Sequence, residues 1–115
     1  MRKTLFFTTW TWDHNFILTR STSSKGADPD DIRLNPGRAK DLSGLAPALC
    51  YTAEFDPLRD DGEAYAALLS QAGTPVKLRR VSGMMHGFLM LWERFDTGRA
   101  TLEEIAGELK AAFRS

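Results

Sequence analysis

Ala48-Leu49-Cys50-Tyr51-Thr52-Ala53, continued by Asp56-Pro57-Leu58-Arg59-Asp60 and closed by Met84-Met85-His86-Gly87-Phe88, is the stretch that decides how this chain folds. Its first six residues form a short, nearly continuous apolar run without helical period, which predicts an inner parallel strand covered on both faces. Beyond it, Asp60 and Glu63 stand three apart in a capping-box-like pattern, so a helix is predicted to start there with Asp60 as its cap. Tyr65, Leu68, Leu69 and Ala72 recur at i, i+3, i+4 and i+7 as one apolar stripe. Gly73 can take the positive φ that ends such a helix. After Thr74-Pro75, apolar Val76 and Leu78 alternate with Lys77 and Arg79, the pattern of a strand with one wet face near a sheet edge.

Strand, helix and strand at this spacing make a βαβ unit with parallel strands and a right-handed crossover. Parallel strands bring their carboxyl ends together, and that is the edge where open α/β sheets place ligands. Asp56 follows the first strand and His86 the second. Neighbouring strands lie about 4.8 Å apart, so loops leaving adjacent strands bring a carboxylate and an imidazole within reach of one another. A carboxylate that accepts from one ring nitrogen fixes the tautomer and leaves the other nitrogen to act as a general base. Taken singly, each residue has a plain structural alternative: Asp before Pro opens a type I turn, and a loop histidine bonds a carbonyl. Taken together on one sheet edge, with capping assigned to Asp60, they read as a candidate catalytic pair.

The pattern Asp56-Pro57-Leu58-Arg59-Asp60, Gly62-Glu63-Ala64-Tyr65, Ala72-Gly73-Thr74-Pro75-Val76 and His86-Gly87-Phe88 resembles the C-terminal third of the hormone-sensitive-lipase-like branch of the α/β-hydrolases. Trp10-Thr11-Trp12-Asp13-His14 and Asp41-Leu42-Ser43-Gly44-Leu45 resemble stretches between that family's sixth and seventh strands. The resemblance implies a carboxylesterase or lipase whose triad runs Ser, Asp, His in chain order, with Asp56 and His86 as its acid and histidine. It implies no metal and no cofactor. The family's nucleophile sits in Gly-x-Ser-x-Gly and its oxyanion hole in a His-Gly-Gly motif. Neither occurs in these 115 residues. Without the attacking oxygen and the amides that hold the tetrahedral intermediate, an orienting pair alone is expected to give little turnover.

At 115 residues and 43% hydrophobic composition, the chain is at most one globular domain. Fifteen basic and fifteen acidic residues balance to zero net charge, which leaves no electrostatic footprint for nucleic acid or an anionic membrane. The single cysteine, Cys50, cannot form an internal disulfide and suits a reducing, cytoplasmic compartment. Its mid-strand position lacks the exposed turn that a nucleophilic thiol needs. Arg2 and Lys3 before Leu5-Phe6-Phe7 imitate a signal peptide, but Thr8-Thr9 cuts the apolar run short. Nothing is long enough to span a membrane.

Trp10, Trp12, Phe16, Ile17 and Leu18 form an aromatic-rich segment suited to a short helix, either lid-like as the family suggests or packed on the sheet. Arg20 to Arg38 reads as a surface loop, broken by Ser-Thr-Ser-Ser-Lys-Gly and Asp28-Pro29-Asp30-Asp31. Leu102, Ile105, Ala106, Leu109 and Phe113, with Glu103, Glu104, Glu108 and Lys110 opposite, predict an amphipathic helix from about Gly98 to Phe113. The expected architecture is thus the C-terminal βαβα portion of an α/β-hydrolase sheet in residues 41–115, after a lid-like or connecting segment in residues 1–40. Two parallel strands are a poor independent core, and the first of them should need another neighbour. The polypeptide is therefore expected to be part of a larger hydrolase, completed by an N-terminal fragment or by self-association, and acting on a small carboxylic ester when complete. The alternative expectation is a catalytically inactive fragment or assembly module.

Overall fold

The computed structural model describes residues 5–8, 32 and 36–114, with residues 5–8 described by their backbone. The elements are β1 (Leu5–Thr8), β2 (Ala48–Phe55), α1 (Arg59–Gln71), β3 (Val76–Met85) and α2 (Asp96–Arg114), with a 3₁₀ turn at Phe88–Leu91 before α2. Among the described residues they form one three-stranded sheet in the order β1-β2-β3. Both pairings are parallel: Leu5 lies opposite Ala48 and Thr8 opposite Tyr51 on one side, and Ala48 opposite Val76 on the other.

The apolar run at β2 behaves as its composition demands, with every residue from Ala48 to Ala53 buried. Its two-residue period divides the core between two layers. Leu49, Tyr51 and Ala53 pack with Val81, Phe88 and Ile105 on the α2 side. Ala48 packs with Tyr65 and Leu69 of α1, flanked by Leu42 and Val76. A sheet sandwiched by helices on opposite faces is the α/β layering expected of a parallel sheet.

The neighbour that β2 requires is supplied by Leu5–Thr8, so the sheet does not stop at two strands. The four residues Leu5–Thr8 carry no readable period, and their strand character comes from pairing with a segment more than forty positions away. The aromatic segment Trp10–Leu18, including Asp13 and His14, and most of the Arg20–Arg38 loop lie outside the described residues.

Several local expectations are corrected by tertiary contacts. The capping box is not made: α1 starts at Arg59 after Leu58, no side chain caps it, and Asp60 pairs with Arg59 in the first turn. Glu63 instead accepts from Thr52 Oγ1 at 2.9 Å and from Arg80 Nε and Nη2 at 2.8 and 2.6 Å, joining α1 to both β2 and β3. Two strong tertiary donors outcompete one local amide for the same carboxylate. The α1 stripe also shifts, with Ala66 buried and Leu68 exposed. On α2, Glu104 and Glu108 are not on the solvent side. They reach the sheet, where Glu104 binds Arg79 of β3 and the Tyr51 hydroxyl of β2 and Glu108 binds Lys77 of β3, while Phe113 is exposed. Lys77 and Arg79 therefore mark a helix-facing rim of charge pairs rather than an uncovered face. Where α2 begins, a Cβ on Gly98 would lie 3.0 Å from the Trp92 Cα, so glycine permits the close approach of the 3₁₀ segment.

Candidate active site

Asp56 is the first residue beyond β2, and its side chain is completely buried. Its two carboxylate oxygens have separate tasks. Oδ1 accepts from the Leu58 backbone N–H at 2.9 Å, and the Asp56 carbonyl accepts from Arg59 N–H at 3.1 Å, which fixes the turn into α1. Oδ2 lies 2.9 Å from His86 Nδ1. The turn-forming and histidine-binding roles that the sequence left as alternatives are thus both filled by one group. A carboxylate oxygen can only accept, so Nδ1 carries the proton of this bond and the neutral ring keeps its lone pair at Nε2.

His86 follows β3 directly, because that strand runs on to Met85. Its ring is partly open, with 37% of the side chain exposed, while the partnering carboxylate is shut away from water. Gly87 takes φ 76° and turns the chain into the 3₁₀ segment, a left-handed conformation that favours glycine. Phe88 then inserts into the β2–α2 core and anchors the histidine loop from behind. On the strand side, β2 and β3 keep register to Ala53–Val81 and regain it at Phe55–Met85, so β3 uses four steps where β2 uses two. This bulge contains Gly83 at φ 73°. The Gly83 N–H donates to Glu54 Oε2 at 2.7 Å, and the Glu54 carbonyl accepts from Arg59 Nη1 at 2.8 Å. Neither Glu54 nor the bulge was picked out from the sequence, although an isolated glycine within a strand pattern is a recognisable bulge signal.

Cys50 does not join this pair. Its Sγ sits over the Gly62 carbonyl on the α1 side, and burial, followed by the nearby Glu63 charge, pushes its thiol up to about 11. A thiol so rarely ionised near neutrality is not an activated nucleophile. An open, largely apolar cavity of 340 Å³ lies at the amino ends of β2 and β3, between Pro47, Pro75 and Ala112, at the opposite end of the sheet from His86. No helix among the described residues is long and apolar enough to cross a membrane.

A parallel sheet between helices, carrying a buried Asp against a His at its carboxyl edge, can be compared with known proteins. Residues 3–90 match the family described as the alpha/beta hydrolase fold. The chain belongs to the alpha/beta hydrolase family. The carboxylic ester hydrolase LipN of Mycobacterium tuberculosis is 44% identical over 99 residues, covering 86% of this chain and 26% of LipN. A hyperthermophilic esterase from the archaeon Pyrobaculum calidifontis superposes with a TM-score of 0.72 at 42% identity, over 76% of this chain and 28% of that one. An ester hydrolase from the metagenome of Lake Arreo gives a TM-score of 0.76 at 31% identity, over 93% of this chain and 36% of its own. This alpha/beta hydrolase chain thus spans about a quarter to a third of the length of these relatives. The resemblance to the hormone-sensitive-lipase-like branch, read from the Asp56 and His86 motifs, is borne out by these matches.

Proposed function

We propose that this chain supplies the acid and the histidine of a Ser-Asp-His triad that hydrolyses carboxylic esters, with the serine contributed by residues outside this stretch. The observation that carries the reading is the 2.9 Å bond between His86 Nδ1 and a fully buried Asp56 carboxylate at the carboxyl edge of a parallel sheet. His86 Nε2 takes the serine proton as the hydroxyl attacks the ester carbonyl, then gives it to the departing alkoxide. It next takes a proton from water as that water attacks the acyl-serine carbonyl, and returns it to the departing serine oxygen, which releases the carboxylic acid and restores the starting state. Asp56 keeps the ring in the required tautomer and steadies the imidazolium. Protons and acyl group balance among serine, histidine and water, so no metal or cofactor enters the scheme.

The partner implied is a serine-bearing N-terminal segment, in the same polypeptide or a separate one, which also provides the oxyanion amides. We place the chain in a reducing, cytoplasmic setting, to which a single buried cysteine is suited. The test is ester cleavage by the chain combined with such a segment. Activity that appears on combination and vanishes with His86→Ala supports the proposal, whereas activity indifferent to both Asp56 and His86 overturns it.

A further inference from the structure

We infer that Glu54 is a positioning residue for the Asp56–His86 pair: its carboxylate grips the β3 bulge and thereby sets the register at which His86 meets Asp56. The inference deepens the proposed function and rests on it. The two members of the pair leave different strands, so their meeting depends on how far each strand has advanced at the sheet edge. A uniform ladder would advance both equally. Here β3 spends two additional residues between Val81 and Met85. A one-residue change of register sends every following side chain to the other face, so the bulge must be pinned for His86 to arrive on the Asp56 side.

The pin is visible. Gly83 stands at the bulge with φ 73°, and a Cβ there would meet nothing within 4 Å, so the backbone angle rather than crowding calls for glycine. Its N–H is turned to the Glu54 carboxylate at 2.7 Å, a charge-assisted bond from the last part of β2 to the residue three before the histidine. Glu54 is held in its turn by Arg59, whose Nη1 donates to the Glu54 carbonyl from the first turn of α1. Two cross-strand ties therefore run side by side, Glu54 to Gly83 and Asp56 to His86. The first is made by a partly exposed side chain outside the core clusters, so its removal spares the packing that holds the sheet together.

The experiment is histidine-selective ¹⁵N NMR on the full 115-residue chain, which has two histidines, with His14→Gln used to assign His86. The downfield Nδ1 proton and the Nδ1-protonated tautomer report the Asp56 bond without reference to catalysis. The expected result is that both survive in Glu54→Gln, whose amide oxygen still accepts from Gly83. Both should be lost or exchange-broadened in Glu54→Ala and in Glu54→Asp, which keeps the charge but shortens the reach. A Glu54→Ala chain that keeps the parent signature overturns the inference. Should that variant not fold, Glu54→Asp against Glu54→Gln decides, equal signatures in the two overturning it. Asp56→Asn is the control that separates the two claims. If it leaves the parent signature unchanged, the Asp–His reading itself fails. If it abolishes the signature while Glu54→Ala retains it, only the role of Glu54 falls.

Discussion

Replacing Asp56 separates the two tasks of its carboxylate, because asparagine can perform one and not the other. In Asp56→Asn the amide oxygen can still accept from the Leu58 N–H, so the turn into α1 persists. The amide nitrogen then faces His86 Nδ1 and can only donate, which forces the ring proton to Nε2. The stability cost is the charge-assisted bond to a ring that is 37% exposed, where water competes, and amounts to about 1 kcal/mol. Asp56→Ala removes both bonds and strands the N–H of buried Leu58, adding about 1–3 kcal/mol for an unsatisfied donor. Urea denaturation should therefore rank the parent above Asp56→Asn and Asp56→Asn above Asp56→Ala, with a total loss near 3 kcal/mol in the last. Histidine ¹⁵N spectra of Asp56→Asn should show the inverted tautomer, and in the completed hydrolase its kcat should fall about 10⁴-fold, as when a triad acid loses its charge. Equal stability of the two variants, or an unchanged tautomer in Asp56→Asn, would refute this division of labour.

Glu63→Ala should cost about 2 kcal/mol, because it strands the buried Thr52 hydroxyl and unpairs Arg80, whereas Asp60→Ala should cost under about 0.5 kcal/mol. A capping box would reverse that order in denaturant titrations. Bonding to Arg80, then Thr52, holds the Glu63 carboxyl below its usual range despite partial burial. Its contribution is accordingly present above the unfolded carboxyl range, about pH 4.5, and lost as the pH falls through the lower folded value. Comparing the parent with Glu63→Gln across that acid window should show a shallower stability loss in the variant. The Cys50 thiol, pushed up to about 11 by burial, should react with a disulfide reagent at neutral pH only as fast as the chain opens, and rapidly in denaturant. Gly98→Ala should destabilise by about 1–3 kcal/mol, since the new methyl meets the Trp92 backbone, and calorimetry should show a lowered Tm.

Periodicity made α1, β3 and α2 legible, because the spacing of their apolar residues is written in consecutive positions, and an unbroken apolar run marked β2 as covered on both faces. Asp56 and His86 were legible for a related reason: parallel strands deliver their following loops to one edge. What escaped reading depends on partners distant in the chain. Leu5–Thr8 is a strand only by virtue of β2, and four residues carry too little pattern to announce it. Glu63 fits a local capping motif, yet Thr52 and Arg80 claim its oxygens from the sheet. Glu104 and Glu108 look solvent-facing on a helical projection, but cations on β3 turn that flank of α2 inward. Glu54 lay unnoticed between two more conspicuous residues, and its partner is a backbone amide exposed by a bulge that hydrophobic alternation alone does not reveal.

On the function proposed above, the Asp56–His86 pair becomes a working acid–base arm once a serine is placed before it. The most direct measurement is p-nitrophenyl ester hydrolysis by the co-purified complex of this chain with a serine-bearing N-terminal segment of an alpha/beta hydrolase, with and without His86→Ala. Turnover is expected in the complex, with little from either part alone and a loss of at least about 10³-fold with His86→Ala in an equally assembled complex. An assembled complex that hydrolyses the ester equally well without His86, or not at all with it, would contradict a catalytic role for the Asp56–His86 pair.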